Sequence, residues 1–271
     1  MTTSLRRPPR WSKKTDELVH HVALRCRPGL QSELGQWLEH CSRFRAFITN
    51  NQDKVRKKSN TADDEESRLD VRAELLVAYL ILADRRFDLL FEAYGARRRG
   101  PDLTVIYRTN QRFNVEVTRV RATGETGNAS SGLVSRVPPR PDESRGTSSG
   151  ESGLAVARLA NVITGKLRQL PGEVPNALVI TARGLPLSEE SLAAAARLLK
   201  MHSDRKDDSF FARRGFRDAR DFYAHYHHLS GIFVLDEATA PPRAIFSPNR
   251  EARHPLPREA VSGLTLCMTL R

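Results

Sequence analysis

The chain has 271 residues, 39% of them hydrophobic, and carries 44 Lys or Arg against 32 Asp or Glu, a net charge of +12. This length and apolar content suit a globular protein with one large domain, or a core with a smaller appended unit. The positive charge indicates a polyanionic partner, first of all nucleic acid, with a merely solvated basic surface as the alternative. The longest apolar run, Leu75 to Ala83, is too short for a membrane span, and three scattered cysteines without a CxxC pair argue against a zinc finger or disulfide framework. We therefore expect a cytoplasmic protein without a membrane partner.

The first 60 residues are the most basic part of the chain, with 13 Lys or Arg against 5 Asp or Glu. Residues 1–14 are rich in Pro and Arg and are expected to form a mobile arm. Between residues 15 and 50 the apolar residues recur at helical spacing, which predicts a small helical unit. We expect residues 52–60 to be a charged linker that either lies along a nucleic-acid backbone or is a solvated connector.

A strong helix is predicted over residues 61–86. Thr61 is placed to cap it, acids occupy its first turns, and arginines close it. Its second half is apolar and must be buried. Glu74 stands one residue before that half, and it is either an ordinary exposed helix acid or part of a functional site.

Three strand-like runs follow, over residues 86–94, 102–107 and 113–120, with short connections that predict an antiparallel meander. Asp102 stands at the start of the second run and Glu116 in the middle of the third. A carboxylate is costly to bury unless a cation satisfies it. These two positions therefore predict a metal ion, a basic partner or a solvated cleft.

Residues 122–153 lack periodicity and predict a long mobile loop. A helix over 154–170 and a strand over 177–182 then form the crossover that parallel strands require. Lys166 lies at the edge of the apolar stripe of that helix, with Gln169 beside it one turn on. The rest predicts a helix over 188–200, an amphipathic or base-stacking segment over 210–226, a strand over 231–236 and a mostly irregular Pro-rich tail over 241–257.

This order of helix, three strands, helix and strand resembles the PD-(D/E)xK nuclease family. The residues that carry the resemblance are Pro101-Asp102 at the start of the second strand and Glu116-Val117-Thr118 in the third, with Glu74 upstream. The resemblance covers about residues 61–182 and implies an α/β restriction-endonuclease-like core, αβββαβ, with a mixed central sheet flanked by helices. We expect residues 1–60 to be a basic arm with an N-terminal helical extension. Residues 61–271 would then form the nuclease domain, with a C-terminal elaboration from residue 183.

The resemblance implies a metal-dependent endonuclease that hydrolyses phosphodiester bonds of DNA with Mg²⁺, for which Mn²⁺ can substitute. Asp102, Glu116 and the carbonyl of Val117 would hold the ion, and Glu74 would face the same cluster from its helix. Family members often act as homodimers because two DNA strands need two sites. Nothing in this sequence marks a dimer face.

At position 118 the chain departs from the family, which has a lysine where this chain has Thr118. A hydroxyl supplies no positive charge, and Arg119 is discounted because successive strand residues point to opposite faces. Lys166 is predicted to replace the missing lysine, with Gln169 positioning water or phosphate. The alternative for Lys166 is a surface lysine whose stem only covers apolar neighbours.

Two other functions stay open at this point. One is a catalytically inactive module of the same fold that binds DNA or a protein, with Thr118 as a sign of decay. The other is a basic scaffold whose acids only pair with arginines. The presence of three acids favours the enzyme. Their carboxylates repel one another, and an inactive site would have no function for them that offsets this repulsion. Three histidines (His225, His227, His228) and a GxSxG match around Ser148 are expected to be structural and accidental, respectively.

Overall fold

Helices and strands alternate along most of the chain in the computed structural model, which describes residues 11–23, 28–94, 100–121, 147–182, 187–237, 239 and 242–269. The helices are α1 (Lys13–Ala23), α2 (Pro28–His40), α3 (Ser42–Asn50), α4 (Gln52–Thr61), α5 (Glu65–Leu82), α6 (Thr147–Leu167), α7 (Glu189–Asp204), α8 (Asp208–Ala212), α9 (Ala219–Tyr226) and α10 (Arg258–Thr269). The strands are β1 (Phe87–Phe91), β2 (Leu103–Tyr107), β3 (Gln111–Val120), β4 (Asn176–Ala182), β5 (Gly231–Asp236) and β6 (Arg243–Pro248).

The strands form a mixed open sheet in the order β1-β2-β3-β4-β5-β6. β1, β2 and β3 pair as an antiparallel meander, as the sequence predicts. β4 is parallel to β3 and β5 is parallel to β4, so α6 provides the crossover that was predicted between β3 and β4. The protein is therefore an α/β protein with a six-stranded mixed sheet in the described part of the chain.

Alternation along the strands divides the core into two layers, one on each face of the sheet. On β3, Val115 and Val117 belong to the layer that contains α5 and α10, whereas Val120 belongs to the layer that contains α6, α7 and α9. On β4, Val179 and Ile180 divide in the same way. Helices α1 to α4 share the first of these layers, so the N-terminal helical unit packs directly on the sheet and on α5.

Helix α5 is shorter than predicted and has a different N-cap. The cap is Asp64, whose Oδ1 accepts a hydrogen bond of 2.6 Å from the Ser67 amide, and not Thr61. Thr61 ends α4, where its hydroxyl donates to the Lys58 carbonyl at 3.0 Å. A carboxylate cap satisfies an amide at the N-terminal end of the helix and interacts favourably with the helix dipole, which explains why the helix starts after Asp64.

We expect Asp64→Ala to lower the free energy of unfolding by about 1 kcal/mol, because it removes this N-cap. Thr61→Ala is the matched control and is expected to change the free energy of unfolding by at most about 0.5 kcal/mol. Urea unfolding followed by circular dichroism measures both values. A larger loss for Thr61→Ala than for Asp64→Ala would contradict the assignment of the cap.

The prediction that residues 52–60 are a charged linker is wrong, because they form most of α4. The segment has only one apolar residue, Val55, so apolar periodicity could not reveal the helix. Val55 and Ser59 are buried against neighbouring helices, and this packing stabilises the helix despite its polar sequence. Residues 11–14, expected in the mobile arm, include the start of α1, while the rest of that arm lies outside the described residues.

The C-terminal region is more regular than the sequence predicts. The tail expected to be irregular contains β6, which extends the sheet by pairing with β5, and α10 follows it. The segment over 210–226 forms α8 and α9, and its phenylalanines are buried in the core, which favours the amphipathic interpretation over base stacking. The predicted mobile loop over 122–153 lies outside the described residues up to 146, and helix α6 occupies its remainder. Among the described helices, none is both long and apolar enough to cross a bilayer.

Candidate active site

Asp102 and Glu116 meet where β2 begins beside the middle of β3. The register pairs Leu103 with Val115, which brings the preceding Asp102 opposite Glu116. The Asp102 amide donates to Oε2 of Glu116 at 3.3 Å, and Oδ2 of Asp102 accepts from the Val117 amide at 2.9 Å. The two acids that were singled out in the sequence are therefore joined at one point of the sheet.

The carbonyl of Val117 faces the same place. In an extended strand the N–H and C=O of one residue point toward the same neighbouring strand, and the Val117 N–H points at Asp102. The residue before Asp102 is Pro101, which has no amide hydrogen to offer that carbonyl. Two carboxylates and one carbonyl thus lie around the start of β2.

Lys166 reaches this point from α6. Its Nζ lies 2.6 Å from Oε1 of Glu116, a side chain that is only 1% exposed. Glu116 and Thr118 share one face of β3, which is the face that α6 covers, and Thr118 itself is half-buried opposite Ile180 of β4. Helix α6 therefore brings Lys166 to Glu116, whereas Thr118, at the position of the motif lysine, supplies no ammonium group.

Arg119 lies on the opposite face of β3, as strand alternation predicts. Its guanidinium donates to Oδ1 of Asp70 at 2.9 Å and also contacts Glu66, and both acids belong to α5. Arg121 pairs with the same two acids. These arginines link β3 to α5 through ion pairs, so they do not pair with Glu116.

Lys58 on α4 is the residue of this cluster that sequence reasoning missed. Its Nζ lies 2.5 Å from Glu74 on α5, 3.2 Å from Asp102 and 3.6 Å from Glu92, which directly follows β1. Glu74 is 8% exposed, so it is not the exposed helix acid that was the alternative. Because α4 carries no apolar periodicity, only the packing of α4 against its neighbours brings Lys58 to these acids.

Burial and a neighbouring negative charge make Glu74 and Glu116 unusually basic. Burial, and then the neighbouring Asp102 charge, raise the pKa of Glu74 to about 8 and that of Glu116 to about 7. For Lys58, burial alone would lower the pKa, but the Glu74 and Asp102 carboxylates outweigh it and raise the pKa above its usual value. For Lys166, burial would likewise lower the pKa, but the Glu116 carboxylate outweighs it and raises the pKa above its usual value. Two ammonium groups, on Lys58 and Lys166, thus face the carboxyl groups of Glu74, Asp102 and Glu116, and Glu92 is a further contact of Lys58.

The donor chemistry of the cluster fits a hard divalent cation, because its free donors are carboxylate and carbonyl oxygens. In this structure, lysine ammonium groups already pair with these carboxylates. Within the described residues, no three His, Cys, Asp or Glu side chains form a group ready to hold a metal ion, and Lys58 occupies the position between Glu74 and Asp102. A metal ion that binds Glu74 and Asp102 together would have to displace the Lys58 ammonium.

In the described part of the chain, the Gln169 side chain and the three histidines form no hydrogen bond or ion pair with the acids of the cluster. Gln169 lines a neighbouring cleft. Each of the three histidines directs Nδ1 at a backbone carbonyl, those of Asp221, Glu251 and Leu170 respectively, which agrees with a structural role. Gly146 of the GxSxG match lies outside the described residues, and Ser148 falls in the first turn of α6.

Compared with protein-family models, with curated proteins and with solved structures, the chain has no match in any of the three. Its class is therefore defined by fold and site alone. It is an α/β protein with a mixed six-stranded sheet and a buried cluster of carboxylates and lysines where β2 begins beside β3.

Proposed function

We propose that the protein is a Mg²⁺-dependent endonuclease that hydrolyses phosphodiester bonds of DNA. The observation that carries this proposal is the convergence of Asp102, Glu116 and Glu74 with Lys166 and Lys58 at one end of β2. Buried acids that hold raised pKa values in a cluster are typical of functional sites, because a purely structural role rarely requires such repulsion.

The arrangement of the chain supports the finer fold expectation, a restriction-endonuclease-like core. Helix α5, strands β1 to β3, helix α6 and strand β4 follow one another in the order that the resemblance implies. Asp102 directly precedes β2 and Glu116 lies within β3, which are the positions that the PD-(D/E)xK motif requires. Membership of that family is part of the proposal.

Asp102, Glu116 and the Val117 carbonyl would hold the ion, and Glu74 would complete the set from α5. When bound, Mg²⁺ supplies positive charge to the phosphate oxygens and makes a water molecule more acidic. From α5, Glu74 would hold a water molecule bound to this ion, or a second ion. Lys166 would place its ammonium beside the phosphate in the role that the family gives to its motif lysine.

A polyanionic partner fits the surface charge. Several basic side chains of the C-terminal helices and their connections are exposed, namely Arg197, Arg205, Lys206, Arg213 and Arg220. Lys and Arg placed along phosphates release counterions and provide affinity without sequence preference. A homodimer that cuts both strands stays a prediction.

A catalytically inactive module of the same fold is the second candidate. The observation in its favour is the complete pairing of the acids with Lys58 and Lys166, which is also what a structural ion network would show. In that case the module would bind DNA or a protein and Thr118 would mark the lost activity.

Incubation of the full chain with supercoiled plasmid, linear duplex and single-stranded DNA, and with RNA of the same sequence, separates these functions. We expect cleavage of DNA with Mg²⁺ or Mn²⁺ and none with EDTA. Absence of cleavage of every substrate in both metals, together with retained DNA binding, would favour the inactive module. Cleavage of RNA alone would overturn DNA as the substrate.

Metal binding is expected to strengthen as the pH rises from 6 to 9. Glu116 and Glu74 have pKa values of about 7 and 8, so both are protonated at the lower pH and become negatively charged ligands as the pH rises. Calorimetric titration of the protein with Mn²⁺ at constant ionic strength measures the change. Glu74→Gln removes the group that titrates at the higher pH, so its affinity should level off above pH about 7. Affinity that does not depend on pH in the wild type would contradict these residues as ligands.

Lys166→Ala is expected to lower the cleavage rate about 100-fold, the effect of losing one group that stabilises charge in the transition state. Lys200→Ala, which changes an exposed lysine paired with Glu251, is the control and should leave the rate unchanged. Single-turnover cleavage of a labelled duplex measures both. If Lys166→Ala cuts as fast as the wild type, Lys166 does not take the role of the motif lysine, although the proposed nuclease activity is not contradicted.

A further inference from the structure

A second polar cleft begins one helical turn beyond Lys166. It has a volume of about 190 Å³ and lies between the C-terminal end of α6 and the two residues Tyr94 and Gly100. Tyr94, which lines it, is hydrogen-bonded to Asn114, and Asn114 lies two residues before Glu116 on the same face of β3, so the cleft lies beside the acid and lysine cluster. The residues that line it are Tyr94, Gly100, Arg168, Gln169, Leu170, Pro171 and Glu173.

Tyr94 presents a fixed aromatic ring to this cleft. The residue is 36% exposed, yet its hydroxyl accepts a hydrogen bond of 3.0 Å from the side-chain amide of Asn114. A Cβ on Gly100 would lie 2.5 Å from the Tyr94 Cβ, so the chain passes close to Tyr94 only because residue 100 is glycine. The hydrogen bond at the hydroxyl and the close approach of Gly100 at Cβ therefore hold the ring in place, while part of the ring stays exposed to solvent.

The anchor of Tyr94 is itself rigid. Asn114 is fully buried, accepts from the Thr104 hydroxyl at 3.0 Å and donates to Asn176 at 2.9 Å. The two N–H groups of the Asn176 side chain in turn lie within hydrogen-bond distance of three backbone carbonyls, those of Pro171, Val174 and His228. Such a satisfied buried network fixes side-chain positions across β2, β3 and β4, and little conformational entropy is left for Tyr94 to lose on binding a ligand.

Polar groups surround the ring. Gln169 offers both a donor and an acceptor, and Glu173 offers an acceptor. Arg168 is held by Asp221 at 3.0 Å and lies over the Phe216 ring at 5.1 Å, so its guanidinium is positioned at the rim. The cleft is smaller than the roughly 300–1,000 Å³ typical of pockets for drug-sized ligands, which suits a single planar heterocycle.

We propose that this cleft binds one unpaired nucleobase next to the phosphodiester held at Glu116 and Lys166, with Tyr94 as the stacking surface. The inference rests on the proposed nuclease function and restricts its substrate to DNA that has an unpaired base. A base inside a duplex has both faces covered by its neighbours, so stacking on Tyr94 requires single-stranded, frayed or extruded DNA. Stacking of a base on an aromatic side chain contributes about 1–3 kcal/mol, and Gln169 and Glu173 add contacts to the base edge.

Binding in EDTA tests the cleft without cleavage. A short single-stranded oligodeoxynucleotide with one 2-aminopurine reports stacking by fluorescence quenching, and a fully paired duplex with blunt, clamped ends is the comparison. We expect the wild type to quench the single strand and bind it more tightly than the duplex. Tyr94→Ala should weaken single-strand binding about 5- to 150-fold, which corresponds to the stacking free energy, and abolish quenching.

Two further variants separate stacking from loss of structure. Tyr94→Phe keeps the ring and loses the hydroxyl contact to Asn114, so it should retain quenching. Tyr223→Ala removes a half-buried tyrosine on α9 and should bind as the wild type does. Thermal unfolding of each variant establishes that it is folded. Wild-type binding by folded Tyr94→Ala, or a wild-type preference for the clamped duplex, would overturn the cleft as a base site.

Cleavage with Mg²⁺ is measured separately, so the two proposals fail independently. If the wild type cuts DNA and Tyr94→Ala binds and cuts single strands equally well, the base site is wrong and the nuclease stands. If single-strand binding depends on Tyr94 and no metal supports cleavage, the base site stands and the nuclease is wrong.

Discussion

Glu116→Gln is expected to lower the rate of DNA cleavage about 1,000-fold, at the upper end of the effect of removing one charge-stabilising group from an active site. Glutamine keeps the shape of the side chain and its contact with the Asp102 amide, but loses the charge that holds a cation and pairs with Lys166. Single-turnover cleavage in saturating Mg²⁺ measures the loss, and Mn²⁺ affinity should fall with it.

Glu190→Gln is the matched control, because Glu190 is an exposed acid in the first turn of α7. It should cut at the wild-type rate. Since Lys166 is partly exposed, its ammonium can turn to solvent in Glu116→Gln, and the variant should stay folded. Wild-type cleavage by Glu116→Gln would contradict the proposed site.

Lys58→Met is expected to lower the free energy of unfolding by about 2–4 kcal/mol at pH 8 to 9, because it leaves Glu74 and Asp102 without their cation. The loss should shrink as the pH falls. Glu74 already has a pKa of about 8, and without Lys58 this pKa rises further, so protonation at lower pH removes the unpaired charge from the folded state. Urea unfolding at several pH values measures the loss.

Lys57→Met is the control for Lys58→Met. Lys57 precedes Lys58 on α4 and is exposed, so its replacement should change the free energy of unfolding by at most about 0.5 kcal/mol. Mg²⁺ should raise the melting temperature of Lys58→Met more than that of the wild type, because the acids are then free to bind it. Equal stability of Lys58→Met and the wild type across this pH range would show that Lys58 does not neutralise the acids.

The competing interpretations predict opposite results for Glu74→Gln. If the cluster is an active site, the acids are held against their repulsion, so this variant loses cleavage while its stability is kept or increased. If the cluster is a structural ion network, the loss of Glu74 breaks the pair with Lys58 and destabilises the fold. Activity and unfolding free energy measured on one sample distinguish these outcomes.

Much of the core could be predicted because its signals are local. Alternating apolar residues identify β2 and β3, and the apolar stripe of α6 identifies the crossover that makes β4 parallel to β3. The positions of Asp102 and Glu116 at neighbouring strands follow from the hairpin register. The linker predicted over residues 52–60 is wrong because α4 has one apolar residue, and β6 was missed in the mostly irregular tail because it follows a Pro-rich stretch.

The sequence by itself determined the α/β order of elements, the positions of Asp102 and Glu116 on adjacent strands and the absence of a lysine at Thr118. Only the tertiary structure decided which cations meet these acids. Lys166 is fifty residues from Glu116, and Lys58 is forty-four from Asp102. Contacts over such separations depend on how α4 and α6 pack on the sheet, and packing is a property of buried surfaces that a local sequence pattern does not record. The same reason explains Tyr94, whose fixed ring depends on buried Asn114 and on close passage of Gly100.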